Sequence, residues 1–191
     1  MGLAFADASQ FPFRYTVLQD GIFWLVWDAS SARIPEDQLV WARQQLASAQ
    51  AQTARARFVV GHLPLVGVGQ GKDRPGEVLD RGSALEALME NSGVQAYISG
   101  HHHAWFSGRR GKLDLIQLGA LGSGPRRLLQ GGAAPQQTFT VLEIAGMEAE
   151  ITEATYAVST GLPLAWSTLP ADLNTRAGVL QRNSSKRLLR G

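Results

Sequence analysis

A chain of 191 residues with 45% apolar side chains is long enough to bury a core of its own, and 18 Lys plus Arg against 16 Asp plus Glu leave a formal net charge of +2, too small a field to capture nucleic acid or an anionic membrane. Cysteine is absent, which excludes a disulfide frame and thiolate zinc ligation and leaves imidazole, carboxylate, amide or water as ligands for any transition metal. No apolar run approaches the roughly 18–20 residues that span a bilayer, and residues 1–10 lack the basic start and apolar stretch of a secretion signal, so a soluble globular protein is expected, its compartment open.

In chain order, residues 15–18 and 22–27 are β-rich runs flanking Gln19-Asp20-Gly21, where Asp-Gly marks a hairpin turn. A helix is expected over 35–50, with Pro35 at an early position, Glu36 and Asp37 in the first turn, and Leu39, Trp41 and Leu46 toward the core. Residues 58–60 form a compact apolar strand that runs into Gly61-His62, followed by a glycine-rich exposed loop over 67–76. A second helix is expected over 83–91, capped by Ser83 with Glu86 three residues on, and a strand over 94–98. Residues 104–107 and 113–118 then read as a hairpin around Gly108-Arg109-Arg110-Gly111, and a glycine-rich loop over 119–132 precedes a terminal hairpin of 138–144 and 148–154. Residues 1–158 are read as the domain. Residues 159–191, punctuated by proline and ending with Arg182, Lys186, Arg187 and Arg190, are read as a solvated, partly flexible tail.

The chain has four histidines, all in Gly61-His62-Leu63-Pro64 and Gly100-His101-His102-His103. Both segments follow apolar strands, so both are expected at strand C-terminal ends, where α/β sheets collect ligands. Imidazole is a good ligand for zinc, iron and manganese, and two histidines one residue apart on an extended segment can face one centre, which marks His62, His101 and His103 as metal-ligand candidates. A lone Gly-His is more often structural; the pairing of two such segments is what favours the metal.

These two blocks resemble the last signature blocks of the calcineurin-like metallophosphoesterases, the superfamily that includes the purple acid phosphatases. The order around them is similar: an apolar strand ending in Asp (Leu25-Val26-Trp27-Asp28), a helix with Gln38, Trp41 and Leu46, Gly-His-x-Pro, a variable loop and helix, Gly-His-x-His, and a glycine-rich stretch over 119–124. The resemblance covers roughly residues 15–155 and implies an α/β fold, the C-terminal part of a four-layer α/β/β/α sandwich. It further implies a two-metal site (Fe, Mn or Zn) in which His62 and His101 bind one ion and His103 helps bind the other, and hydrolysis of a phosphate ester by a metal-held hydroxide. His102 takes the variable slot and is the candidate for a direct catalytic contact; Trp105 and Arg109 are the candidates for substrate contact, Arg109 because a guanidinium matches phosphate oxygens.

The superfamily's earlier Asp-x-His, Gly-Asp and Gly-Asn-His-Asp/Glu blocks do not occur in this sequence. The implied partners are therefore a phosphate ester and an N-terminal half or oligomer partner that completes the site; a truncated, catalytically inactive metal-binding or interaction module of the same fold is the alternative. Rival motifs fail on their letters: a Walker A loop needs Gly at Val66 and Ser or Thr at Asp73, and a nucleophile elbow at Ser123 needs Gly at Leu121. Asp28 is expected to anchor a loop, and Asp73, Glu77 and Asp80 to complement the dipole of the next helix. Arg110, Arg126 and Arg127 are read as either solvated or phosphate-facing.

Overall fold

The computed structural model describes residues 2–122, 124–146 and 149–188; Ser123, the expected strand start at Glu148, and Arg190 lie outside them. Its elements, in chain order, are β1 (Phe5–Gln10), β2 (Arg14–Gln19), β3 (Ile22–Val26), α1 (Glu36–Leu46), α2 (Ala49–Thr53), β4 (Ala56–Val60), α3 (Gly82–Asn91), β5 (Ala96–Ser99), β6 (Phe106–Arg110), β7 (Leu113–Gln117), β8 (Thr138–Ala145), β9 (Glu150–Ala157), β10 (Asp172–Thr175), β11 (Gly178–Arg182) and β12 (Lys186–Leu188). Nine strands form one sheet in the order β1-β2-β3-β4-β5-β7-β6-β11-β10, and β12-β9-β8 form a second. The centre of the large sheet is parallel from β3 through β4 and β5 to β7, while its flanks are antiparallel.

Alternation along the central strands divides the core in two. Phe23 and Leu25 of β3, Val59 of β4 and Tyr97 of β5 face α1, α2 and α3, where Leu39, Trp41, Leu46, Leu85 and Met89 cover them. Ile22, Phe58, Ala96, Ile98 and Ile116 point the other way and meet Ile151 of β9, with Leu142 and Ile144 of β8 packed alongside. The described residues thus build three layers, helices on sheet on sheet. The fourth layer expected from the resemblance has no counterpart among them, since Phe139 and Val141 on the outer face of the small sheet are 43% and 47% exposed.

Several local expectations are corrected. The helix expected over 35–50 breaks at Ala47, because Ser48 accepts from the Ala51 N–H and starts α2. The Ser83 cap does not form: α3 starts after Arg81, which is left-handed, and Glu86 pairs with Arg110 at 3.1 Å. The hairpin turn lies at Gly111-Lys112, with Gly111 at φ 56°, and Gly108 sits inside β6. A Cβ on Gly108 would run 2.7 Å from the Gln181 carbonyl of β11, so a glycine there admits a neighbouring strand instead of making a turn.

The described part of the expected tail is built into both sheets. β10 and β11 extend the large sheet beyond β6, and β12 pairs with β9. Arg187, read as solvated, has an 8% exposed side chain that donates to Asp114 at 2.6 Å and to Glu153 at 3.0 Å, both carboxylates fully buried. A guanidinium shared by two buried carboxylates satisfies charges that would otherwise be costly to bury. No helix is long and apolar enough to cross a membrane among the described residues.

Candidate functional site

The site grows from two neighbouring parallel strands. β4 and β5 pair in register through Val60 and Ile98, and the ladder continues past their ends: the Gly61 N–H donates to Ile98 O at 3.0 Å and the Gly100 N–H to His62 O at 3.1 Å. His62 and His101 are thereby held side by side at the C-terminal ends of the two strands. Gly61 is required by crowding, since a Cβ there would collide with the Tyr97 hydroxyl and the Trp27 indole. Tyr97 in turn donates to Leu63 O at 2.7 Å and fixes the residue after His62.

The Nε2 of His62 lies 3.0 Å from the Nδ1 of His101. The pKa of His62 is lowered, by desolvation first and then by the charges of His101 and His103, so the three imidazoles share one electrostatic neighbourhood. The segment after Gly100 is not extended as expected: His101 and His103 are both left-handed, at φ 64° and 53°. Two such steps around one residue turn His102 inward, and cost about 1–2 kcal/mol each for a residue with a Cβ. Strain of that kind persists only where surrounding contacts enforce it.

His102, the candidate for catalysis, is fully buried. Its Nδ1 accepts from the Val68 and Gly69 N–H groups at 3.2 and 3.4 Å, and its Nε2 donates to Glu77 O at 2.8 Å. Burial lowers its pKa to about 4, keeping the ring neutral near pH 7. It is a clip for the glycine-rich loop, with both nitrogens engaged by protein.

Glu77 is the residue that sequence reasoning missed. Instead of complementing a helix dipole, it places Oε2 2.6 Å from His101 Nε2, while Lys72 donates to it at 2.7 Å and Arg74 at 3.1 Å. The Lys72 hydrogen bond, then that of His101, draw its pKa down to about 2. The available signal was a carboxylate in a loop that also carries Lys72 and Arg74; nothing in that spacing names His101.

The other candidates are placed as follows. His103 has its Nδ1 3.1 Å from Gly124 O, and it lines a small cavity of about 40 Å³ together with Trp105 and Arg126. Trp105 is buried, edge-on to Trp166 at 5.6 Å between ring centres, with its Nε1 3.4 Å from Glu153. Arg109 donates to buried Asp114 at 2.7 Å and is engaged away from the histidines. Asp28 accepts from the Ser30 N–H at 3.0 Å and the Ser30 hydroxyl at 2.6 Å, and these bonds lower its pKa; Gln38 clasps its backbone at 2.7 and 3.1 Å. Asp28 and His62 line one open cleft with Phe13 and Trp27.

Two imidazoles binding one ion at about 2.0–2.1 Å have their nitrogens roughly 2.9–3.4 Å apart, so the 3.0 Å pair of His62 and His101 fits as two neighbouring ligands. The fit ends there. Among the described residues no group of three or more His, Cys, Asp or Glu side chains is placed to hold a metal ion, and Asp28 and Glu77 are bound to other partners. A complete two-metal centre is not assembled by these residues.

No family model matches the chain, and no curated protein matches it. Among solved structures it resembles a purple acid phosphatase from yellow lupin (Lupinus luteus) seeds, with TM-score 0.63 and 13% identity over 79% of this chain and 31% of that one. It also resembles GAP50, the anchor in the inner membrane complex of Plasmodium, with TM-score 0.59 and 19% identity over 75% of this chain and 47% of that one. The chain spans less than half the length of either protein. Identities this low carry the fold alone: a mixed α/β fold shared with these two proteins.

Proposed function

We propose that this chain supplies the histidine side of a two-metal phosphoester hydrolase site, a phosphatase or phosphodiesterase, in which His62 and His101 hold one ion and His103 contributes to the second. The observation that carries the reading is the placement of His62 Nε2 and His101 Nδ1 3.0 Å apart at the ends of adjacent parallel strands. Iron, manganese or zinc suits an imidazole-rich set. Such ions would activate water and neutralise charge on the phosphoryl group. The chain's own residues hold and orient: Gly61 lets β4 close against Tyr97 and Trp27, and Gln38 fixes the turn carrying Asp28 beside His62. The carboxylates that would complete the ions are assigned in this reading to an N-terminal half or an oligomer partner.

A second reading, a non-catalytic metal-binding or interaction module of the same fold, is favoured by the lack of any three-residue ligand group among the described residues. Metal content and turnover of a chromogenic phosphate ester, measured on the wild type, His62→Ala and His101→Ala, separate the two. Turnover that is lost in both variants supports the hydrolase. Metal bound through His62 and His101 without turnover, even with candidate partners added, supports the module. Metal content unchanged by both substitutions would sink the shared premise.

A further inference from the structure

The loop between β4 and α3 is tied at two places to the histidine segment. His102 grips its start through the Val68 and Gly69 N–H groups and its end through the Glu77 carbonyl. These bonds are mutually consistent, because a neutral imidazole has one donor and one acceptor nitrogen: Nδ1 takes two backbone donors and Nε2–H gives to a carbonyl. The Glu77 backbone is therefore fixed relative to the segment that carries His101. Its carboxylate is held separately, by Lys72 at 2.7 Å and Arg74 at 3.1 Å, and lands 2.6 Å from His101 Nε2.

An ionised carboxylate only accepts, so this contact requires the proton of His101 to sit on Nε2. The lone pair of the neutral ring is then on Nδ1, the nitrogen 3.0 Å from His62 Nε2. We propose that Glu77 is the positioning residue of His101: it fixes the imidazole in the tautomer protonated on Nε2 and turns the Nδ1 lone pair toward His62, where the two rings converge. A carboxylate behind a histidine ligand sets ring orientation and raises its basicity, and losing it typically weakens metal binding 10–100-fold. This second consequence rests on the reading of His62 and His101 as ligands of one ion; the tautomer does not.

The two are separated by measuring them independently on Glu77→Gln, whose side chain is isosteric and uncharged. Nitrogen-15 NMR of the metal-free chain, read on the neutral ring, should show His101 protonated on Nε2 in the wild type and redistributed between the two nitrogens in the variant. Zinc titration should show affinity lower by about 10–100-fold in the variant, with an unchanged circular dichroism spectrum. A wild-type His101 protonated on Nδ1, or a tautomer unmoved by Glu77→Gln, overturns the proposal. The expected tautomer shift with no zinc binding by either form upholds Glu77 as the positioning residue and removes the metal reading. Should Glu77→Gln not fold, Glu77→Asp, which keeps the charge but shortens the reach, should show a partial redistribution, and its absence overturns the proposal equally.

Discussion

The two faces of the nine-stranded sheet are built from alternate residues of the same strands and are covered unequally. On the helix face Phe23, Leu25, Tyr97, Phe106 and Leu113 are sealed under α1 to α3 and the long loops. On the other face β8 and β9 seal Phe58 and Ile116 but leave Trp24 and Val26 of β3 half-buried, beside an open cleft of about 500 Å³ that Leu142 and Ile144 also line. The small sheet is tied to the large one partly by arginines. Arg187 spans Asp114 and Glu153, and Arg55 donates to the carbonyls of Gly146, at 2.6 Å, and Ile144. One face is held by packing, the other by packing and a few charged ties, which predicts different responses to mutation.

The largest effect should come from breaking such a tie. Arg187→Met leaves Asp114 with Arg109 alone and strips Glu153 of its only ion pair among the described residues. Removing one partner from a buried ion pair costs about 3–5 kcal/mol, which urea denaturation would read. The loss should depend on pH with a defined sign. Burial raises the pKa of Glu153, so the folded state binds this proton more tightly than the unfolded one and gains stability as pH falls through the raised pKa toward 4.5. Arg187 lowers that pKa, so its loss should raise it further, and the deficit of Arg187→Met should shrink as pH falls through the variant's higher pKa toward the wild-type one; a deficit flat in pH would assign the cost to packing.

Next in size is Leu25→Ala on the helix face. Leu25 is fully buried, and truncating such a leucine costs about 2–5 kcal/mol through lost transfer energy and the cavity left behind. Its counterpart on the other face, Ile144→Ala, removes a half-buried side chain at the rim of the open cleft and should cost about 1 kcal/mol, from the smaller area it withdraws from water. Equal costs in a paired denaturation experiment would break the comparison, because they would show the second face to be as closed as the first.

The same contrast explains what the sequence makes legible. The central strands are apolar runs bounded by turn residues, so β3, β4, β5 and β7 and the positions of His62 and His101 at strand ends follow from local pattern. Peripheral strands do not announce themselves. β1 reads Phe-Ala-Asp-Ala-Ser-Gln, poor in β-formers, and exists through its pairing with β2. β10 to β12 are three to five residues long and largely polar, and their strand character comes from the sheets they join. Arg187 looks solvated in sequence because burying a charge depends on partners far away, Asp114 and Glu153. Glu77 was illegible as part of the site for a related reason: its partner His101 lies 24 residues on, and only the folded loop, clipped by His102, brings them together.

The smallest effect concerns how the edge strand β1 is fastened to the helix face. Trp41 of α1 donates its indole N–H to Asp7 of β1 at 2.8 Å, and this bond, followed by those from Ser9, lowers the pKa of Asp7 below 3.8. A carboxylate with a depressed folded pKa contributes stability that is fully present above its unfolded pKa and is lost as pH falls through the folded value. Asp7 lies near the surface, so solvent screens the contribution and keeps it small. Thermal unfolding of wild type and Asp7→Asn across the acid range should therefore show a slight deficit for the variant above pH 3.8 that closes at lower pH, with hydrogen exchange in β1 rising before exchange elsewhere in the sheet. A deficit that persists after the carboxylate is protonated would mean that the neutral hydrogen bond to Trp41, and not the charge, secures β1, and would bring this edge closer in character to the packed face it adjoins.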